Sequence, residues 1–301
     1  MLLPHAALFT AYAKINLTLE VLGRRTDGYH ELASVMQTVA LHDTIMLHTA
    51  PEGALSLTCD VPELEGDQNL ALCAARALAS ASGTPANLAA KLELRKETPT
   101  QAGLGGGSSD AACTLVALDQ WWGLHLNADQ LSTIAAGLGS DVPFFLRGGA
   151  AEVRGRGERV IALPDAEPIW VVLVKPPVNV PTPAAYRALR AADFSDGAAT
   201  ARVAEAIRRT RMVPLACLVN SFEASVLRDY PAVARTWETL AAAGAPVVRL
   251  SGSGPTLFAP FETLAPAAAV FTRMRDKGHA AWLTHTVSRT ECEGAMQRVV
   301  R

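Results

Sequence analysis

A glycine-rich segment between residues 99 and 112 is the part of the sequence best suited to chemistry. It holds four glycines between positions 103 and 107, after an alternating stretch and before an apolar run of helical spacing. Glycines let successive backbone N–H groups turn toward one point, and a helix capped at its start by Ser108 or Ser109 adds a positive dipole end. The segment predicts a phosphate-binding loop, against the plainer alternative of an idle tight loop.

This loop differs from the two commonest nucleotide-binding motifs. The pattern G-x-G-x-x-G fails, because its last position is Ser108 when counted from Gly103 and Asp110 when counted from Gly105. A Walker A motif requires a Gly-Lys dipeptide, and the chain contains none. The sequence therefore predicts a nucleotide loop of a third kind.

Several segments together resemble the GHMP kinases. Residues 103–112 look like the central motif of that family, and residues 250–256 resemble its third motif. Residues 11–17, 23–32 and 139–145 are similar to one branch, which acts on 4-diphosphocytidyl-2-C-methyl-D-erythritol in the non-mevalonate isoprenoid pathway. The resemblance spans most of the chain. It implies ATP-dependent phosphorylation of the 2-hydroxyl of that substrate.

The resemblance also implies a catalytic pair, Lys14 and Asp141. Asp141 would accept or orient the proton of the substrate hydroxyl, while Lys14 would pair with Asp141 and face the γ-phosphate. Phosphoryl transfer depends on positioning and charge neutralisation, so both charges must lie in one cleft. Without the resemblance, Lys14 reads as an ordinary strand lysine and Asp141 as a turn carboxylate.

For the substrate, the resemblance implies a pocket for the cytosine base. Tyr29 would stack on the base, His30 would hydrogen-bond its edge, and Tyr186, where the family often has Phe, would close the stack from the other side. Each aromatic face contributes about 1–3 kcal/mol. Asn16 and Thr182 are weaker implied contacts. The ordinary alternatives are turn packing, a neutral histidine and a helix-surface tyrosine.

On the nucleotide side, the resemblance implies that Asn69 and Lys96 contact adenine or ribose. Lys96 fits a solvated lysine at a strand end equally well. Mg²⁺ is expected with ATP, but its ligands stay unassigned, because Asp110 fits a first-turn acid favoured by the helix dipole. The implied cofactor-binding residues of the loop are Pro99, Gly103, Leu104, Gly105, Gly106, Gly107, Ser108 and Ser109.

The elements around these motifs predict an α+β fold of two domains, residues 1–160 and 161–301, with ATP and substrate meeting in the cleft between them. In the first half, the patterns predict strands at 8–22, 35–49 and 88–94 and helices at 69–81, 108–123 and 128–138. In the second half, they predict strands at 169–174, 247–250, 256–259 and 280–287 and helices at 183–192, 221–242 and 264–277.

Composition restricts the class of protein. The chain has 301 residues, 50% hydrophobic and 19% charged, which is enough to bury a large core. Its 27 Lys plus Arg nearly balance 29 Asp plus Glu, so no global field favours nucleic acid or an anionic membrane. Five scattered cysteines and the lack of a leader or long apolar run predict a reduced cytoplasmic protein. We expect a monomer or weak homodimer with a small-molecule substrate.

Two other functions remain open at this point. One is a GHMP kinase for another alcohol, such as mevalonate or homoserine, against which the Tyr29-His30 pair counts. The other is a nucleotide-binding protein without catalysis, against which the presence of both Lys14 and Asp141 counts.

Overall fold

The computed structural model describes residues 6–83 and 88–296. The strands are β1 (Ala6–Arg24), β2 (His30–His48), β3 (Leu55–Cys59), β4 (Ala90–Arg95), β5 (Ala150–Gly155), β6 (Arg159–Ala162), β7 (Trp170–Lys175), β8 (Val219–Asn220), β9 (Arg249–Leu250), β10 (Leu257–Phe261) and β11 (Ala280–His285). The helices are α1 (Leu70–Ala81), α2 (Gly106–Trp122), α3 (Ala128–Leu138), α4 (Val142–Phe145), α5 (Thr182–Ala188), α6 (Ala198–Thr210), α7 (Glu223–Asp229), α8 (Pro231–Ala242), α9 (Leu264–Asp276) and α10 (Arg289–Ala295).

A long antiparallel hairpin, β1 with β2, forms the centre of the first sheet. The strand order is β3-β4-β2-β1-β8, and β5 and β6 extend the sheet from β2. Each strand of the hairpin has 19 residues, and bulges at three points let it bend. The first half of β2 pairs with β5 and its second half with β4. Helices α1 and α2 pack on this sheet, and α3 packs on both of these helices.

The second sheet has four antiparallel strands in the order β11-β7-β10-β9. Helix α9 packs on β7, β10 and β11, and α8 packs on β10. An apolar cluster between the two sheets joins the halves of the chain. It includes Ile15, Leu17 and Leu104 from the first half and Leu173 and Phe258 from the second. All five side chains are fully buried. The halves therefore share buried surface directly behind β1.

The predicted fold class is confirmed: helices and strands form a mixed, two-domain architecture in which the sheets are mainly antiparallel. The division near residue 160 stays a prediction. Strand β6 crosses that position, and β8 from the second half pairs with β1 in the first sheet. None of the helices in the described ranges is long and apolar enough to cross a membrane. The expectation that the chain has no leader concerns its first residues. Residues 1–5 and 297–301 lie outside the described ranges.

The secondary-structure prediction was wrong in several places, and strand β3 and helix α4 were not predicted. The single helix expected at 221–242 is two helices, α7 and α8, because Pro231 starts a new helix and cannot continue the old one. The strand expected at 247–250 is reduced to the two residues of β9. Helices α6 and α10 were not predicted; α6 buries only four side chains, so its apolar stripe is narrow.

We expect Phe258→Ala to lower the free energy of unfolding by about 3–5 kcal/mol, because it leaves a cavity in the cluster that joins the halves. The unfolding should remain a single transition in urea, since both halves lose the same contacts. Met212→Ala is the control: this side chain is 58% exposed, and its loss should change stability by less than about 0.5 kcal/mol. A loss below about 1 kcal/mol for Phe258→Ala would contradict the shared core.

Candidate active site

Lys14 and Asp141 lie together beside the glycine-rich loop. Lys14 sits on β1, where its N–H donates to the carbonyl of Leu104 at 2.9 Å. Its ammonium donates to Asn16 Oδ1 at 2.7 Å and lies 3.5 Å from Asp141 Oδ2. Asp141 follows the end of α3 at Gly139, and its side chain is 32% exposed, whereas Lys14 is 3% exposed. The pair thus combines a buried cation with a carboxylate that a ligand can reach.

The glycine-rich loop forms the N-terminus of α2. Gly105 has a φ of +72° and precedes the first helical residue, Gly106. The prediction that Ser108 or Ser109 caps the helix is wrong, because this left-handed turn starts the helix earlier and places both serines within it. Ser109 is buried, and its hydroxyl donates to the carbonyl of Tyr12 at 2.6 Å. Ser108 lies on the wall of the cavity described below.

The loop after β9 braces the glycine-rich loop from the other half of the chain. Ser251 Oγ donates to the carbonyl of Gly103 at 3.0 Å, and a Cβ on Gly103 would lie 2.1 Å from the carbonyl oxygen of Ser251. Asn16 Oδ1, which accepts from Lys14, also accepts from Gly252 N at 3.0 Å. Asn220 Nδ2 donates to two carbonyls of the same loop. No sequence signal marks Asn220.

One cavity of about 1150 Å³ collects most of the predicted site residues. Its wall also contains Ser253, whose hydroxyl lies 3.0 Å from that of Thr182. The predicted residues on this wall are Lys14, Asn16, Tyr29, His30, Gly103, Gly105, Ser108, Asp141, Thr182 and Tyr186. The structure thus brings the implied catalytic pair, phosphate loop and base pocket into a single space.

Aromatic rings form one end of this cavity. His30 stacks on Tyr186, with ring centroids 5.0 Å apart and planes at 28°, and the predicted contacts with a cytosine stay predictions. Tyr29 is 57% exposed. Burial lowers the pKa of His30, and the nearby charge of Arg24 adds to this, so the ring is neutral near pH 7. Burial and the charge of Asp141 raise the pKa of Tyr186 to about 12.

Other predicted residues do not line this cavity. Leu104 is fully buried in the apolar cluster between the sheets. Asn69 caps α1: its Oδ1 accepts from Ala71 N and its Nδ2 donates to the carbonyl of Leu64, both at 2.9 Å. The residues absent from the wall are Asn69, Lys96, Pro99, Leu104, Gly106, Gly107 and Ser109. Their nucleotide contacts stay predictions.

A buried ionic triad lies behind the glycine-rich loop. Lys96 Nζ donates to Asp43 Oδ2 at 2.5 Å and to Asp110 Oδ2 at 2.6 Å, and its side chain is 5% exposed. The alternative of a solvated strand-end lysine is therefore wrong. Asp43 Oδ1 accepts from the N–H groups of Glu97 and Thr98, both at 2.7 Å. The triad connects β2, the end of β4 and the start of α2.

The triad carries two carboxylates for one ammonium. Burial raises the pKa of Asp110 to about 7, against the opposing charge of Lys96. The two aspartates raise the pKa of Lys96, although burial works against its charge. Asp110 is the fifth residue of α2, so it is not the first-turn acid considered above. Asp43 was missed, although it shares strand parity with the buried Ile45 and Leu47, where a charge needs a partner.

Comparison with known proteins shows the family of the chain. Models of the GHMP kinases N terminal domain and the GHMP kinases C terminal domain match residues 69–149 and 203–280. A 4-diphosphocytidyl-2-C-methyl-D-erythritol kinase of Pelotomaculum thermopropionicum is 42% identical, covering 92% of this chain and 96% of its own. One from Moorella thermoacetica is 40% identical, covering 92% and 98%. The chain belongs to the GHMP kinases, in the family of 4-diphosphocytidyl-2-C-methyl-D-erythritol kinases.

Solved structures place this GHMP kinase in the same fold. A crystal structure of 4-(cytidine 5'-diphospho)-2C-methyl-D-erythritol kinase superposes with a TM-score of 0.79 at 35% identity, covering 93% of this chain and 98% of its own. A homoserine kinase from Cytophaga hutchinsonii has a TM-score of 0.71 at 17% identity and covers 96% of both chains. The second likeness shows the fold alone.

We expect Gly103→Ala to destabilise this GHMP kinase by more than about 2 kcal/mol, because φ is +75° and the new Cβ would overlap the carbonyl of Ser251. Gly137→Ala is the matched control. Gly137 lies within α3 with nothing within 4 Å of its added Cβ, so alanine should stabilise the helix by about 0.5–1 kcal/mol. Urea unfolding measures both; similar effects of the two substitutions would contradict the close contact of the loops.

We expect Asp110→Asn to gain stability relative to the native chain as pH rises. Asp110 binds its proton up to about pH 7 in the fold, but only to about pH 4 when unfolded, so its contribution to stability falls across this range. Asparagine does not titrate. The unfolding free energy of the variant minus that of the native chain should increase by more than about 1 kcal/mol between pH 5 and pH 8. The exposed Asp129→Asn is the control, and parallel curves for the two variants would contradict the assignment.

Proposed function

We propose that this chain transfers the γ-phosphoryl group of ATP to the 2-hydroxyl of 4-diphosphocytidyl-2-C-methyl-D-erythritol. The observation that carries the proposal is the Lys14–Asp141 pair, 3.5 Å apart, on the wall of a cavity that also contains the glycine-rich loop and the aromatic pocket. The relatives bearing this activity in their names are about 40% identical over nine-tenths of the chain. We further propose that the enzyme works in the cytoplasm, as a monomer or weak homodimer.

The chemistry follows from the positions of these groups. The substrate hydroxyl oxygen forms a bond to the γ-phosphorus as the bond from that phosphorus to the β–γ bridging oxygen breaks, and ADP leaves. Asp141 Oδ2 takes the hydroxyl proton, since it is the exposed partner of the pair. Lys14, held by Asn16, lies 3.5 Å from Asp141 and neutralises charge on the transferring group. Backbone N–H groups at the start of α2 bind the phosphates of ATP.

Substrate recognition is proposed for the aromatic end of the cavity. Tyr29 has an exposed ring face for the cytosine, and the neutral His30 can both donate to the edge of a base and accept from it. Tyr186, stacked on His30 and packed edge-on against Phe222, holds that ring in place. Thr182 and Asn16 are proposed to contact the methylerythritol group, since they lie on the same wall.

Mg²⁺ enters the proposal as the metal partner of ATP. Within the described ranges, no group of three or more His, Cys, Asp or Glu side chains could hold a metal ion. Magnesium is commonly bound by substrate phosphates, water and one or two protein oxygens. The lack of such a group in the described ranges is therefore compatible with Mg²⁺ bound to ATP. Ser108 is the loop serine on the cavity wall, whereas the Ser109 hydroxyl donates to the carbonyl of Tyr12, and we propose Ser108 as a protein ligand. The ion supplies charge neutralisation on the phosphates.

An assay of ADP release with ATP, Mg²⁺ and 4-diphosphocytidyl-2-C-methyl-D-erythritol tests the function. We expect turnover with this substrate and none with methylerythritol phosphate, which lacks cytidine, or with mevalonate. Turnover of mevalonate alone would favour a kinase of another alcohol. ATP binding without turnover of any of the three alcohols would favour a binding protein.

We expect Asp141→Asn to lower kcat by about 10²- to 10⁴-fold, because it removes the proton acceptor. ATP affinity, measured by calorimetry, should change by less than about threefold, because the phosphate loop is intact. Asp129→Asn changes an exposed aspartate of α3 in the same way and should leave kcat unchanged. Full activity of Asp141→Asn would refute the proton-acceptor role.

A further inference from the structure

Arg156 lies against Tyr29 on the cavity wall. Its guanidinium carbon is 4.8 Å from the centroid of the Tyr29 ring, a cation–π distance. Among the described residues, no carboxylate lies within 4.0 Å of its guanidinium nitrogens. Two acids are nearby but otherwise engaged: Asp27 pairs with Arg25, and Glu158 accepts from the backbone N–H of Arg156 at 2.7 Å. The guanidinium therefore keeps its hydrogen-bond donors for a ligand.

The fold holds Arg156 between the two ends of the cavity. It lies at the tip of the β5–β6 hairpin, flanked by Gly155 at φ +74° and Gly157 at φ +119°. Gly155 pairs with Leu32, two residues from His30. On the other side, a Cβ on Gly157 would lie 3.2 Å from the side chain of Ser140, next to Asp141. The turn is thus adjacent both to the aromatic end of the cavity and to Asp141 of the Lys14–Asp141 pair.

The charges on the cavity wall favour a ligand with anionic groups beyond the transferred phosphoryl. Four cationic side chains, Lys14, Arg24, Arg156 and Arg187, face one carboxylate, Asp141. Lys14 is already paired with Asp141, so the three arginines are the cations in excess. A guanidinium matches two phosphate oxygens at once, which an ammonium cannot do.

We propose that Arg156 is a substrate-binding residue that contacts the diphosphate between the cytidine and the methylerythritol group. This inference rests on the proposed function. In a cytidine diphosphate, the ribose alone separates the base from the first phosphate. A base on Tyr29 therefore places the diphosphate beside the guanidinium that lies over the same ring. Arg156 selects nucleoside diphosphate-linked alcohols over smaller alcohols, and it takes no part in the transfer itself.

The test compares Arg156→Met, which replaces the aliphatic part of the side chain and removes the guanidinium, with Arg156→Lys and with Arg159→Met. Arg159 is an exposed arginine of the same hairpin that is absent from the cavity wall. Arg156→Met should raise KM for the cytidine diphosphate substrate about tenfold, since it removes charge-assisted hydrogen bonds. KM for ATP and kcat should change less than twofold. Arg156→Lys should recover part of the loss, and Arg159→Met should match the native enzyme.

Binding of CDP and of cytidine, measured by calorimetry, separates the diphosphate contact from an effect on Tyr29. Arg156→Met should weaken CDP binding about tenfold and leave cytidine binding unchanged. Equal weakening of both would mean that Arg156 only supports the ring, and unchanged CDP binding would refute the contact outright. These measurements need no turnover. If the native enzyme binds CDP but does not phosphorylate the proposed substrate, the proposed function fails while the Arg156 contact is still decided.

Discussion

The amide of Asn16 is the interaction on which the site depends. Its oxygen accepts at once from the ammonium of Lys14, at 2.7 Å, and from the backbone of Gly252, at 3.0 Å. Its nitrogen donates to Ser34 Oγ at 2.9 Å. Asn16 is 2% exposed, so each of these groups would be costly to leave without a partner. The position of Lys14 is thereby tied to a loop more than 230 residues away in the chain.

Close backbone contact between the two glycine-containing loops follows from the same constraint. Gly252 can reach Asn16 only if its loop lies on Gly103, where there is no room for a side chain. The apolar cluster behind β1 maintains this contact, because Leu104 packs there with Phe258. The conformation of the glycine-rich loop thus depends on tertiary contacts with the other half of the chain, and glycine flexibility alone does not determine it.

The sequence predicted the parts of the molecule that local pattern determines. Alternation and helical spacing located β1, β2 and α3, and glycine content located the loop that starts α2. It failed where partners are distant in the chain. From the sequence, Lys96 could be a solvated lysine, because its partners Asp43 and Asp110 are distant in the chain. Ser109 could be a helix cap, because its hydrogen bond to the carbonyl of Tyr12 is not visible in the sequence. The stacking of His30 on Tyr186 likewise depends on residues 156 positions apart.

The two sides of the glycine-rich loop carry different charges. Behind the loop, the buried triad has an excess carboxylate, which would oppose a bound phosphate if Asp110 were fully ionised. Its raised pKa reduces that opposition near neutral pH. On the cavity side, the wall carries Lys14, which is 3% exposed, three arginines and a single carboxylate, Asp141. Because opposite charges attract and like charges at close range repel, an anionic ligand on this wall meets more cations than acids. The excess acid of the region lies behind the backbone, in the triad of Asp43, Lys96 and Asp110.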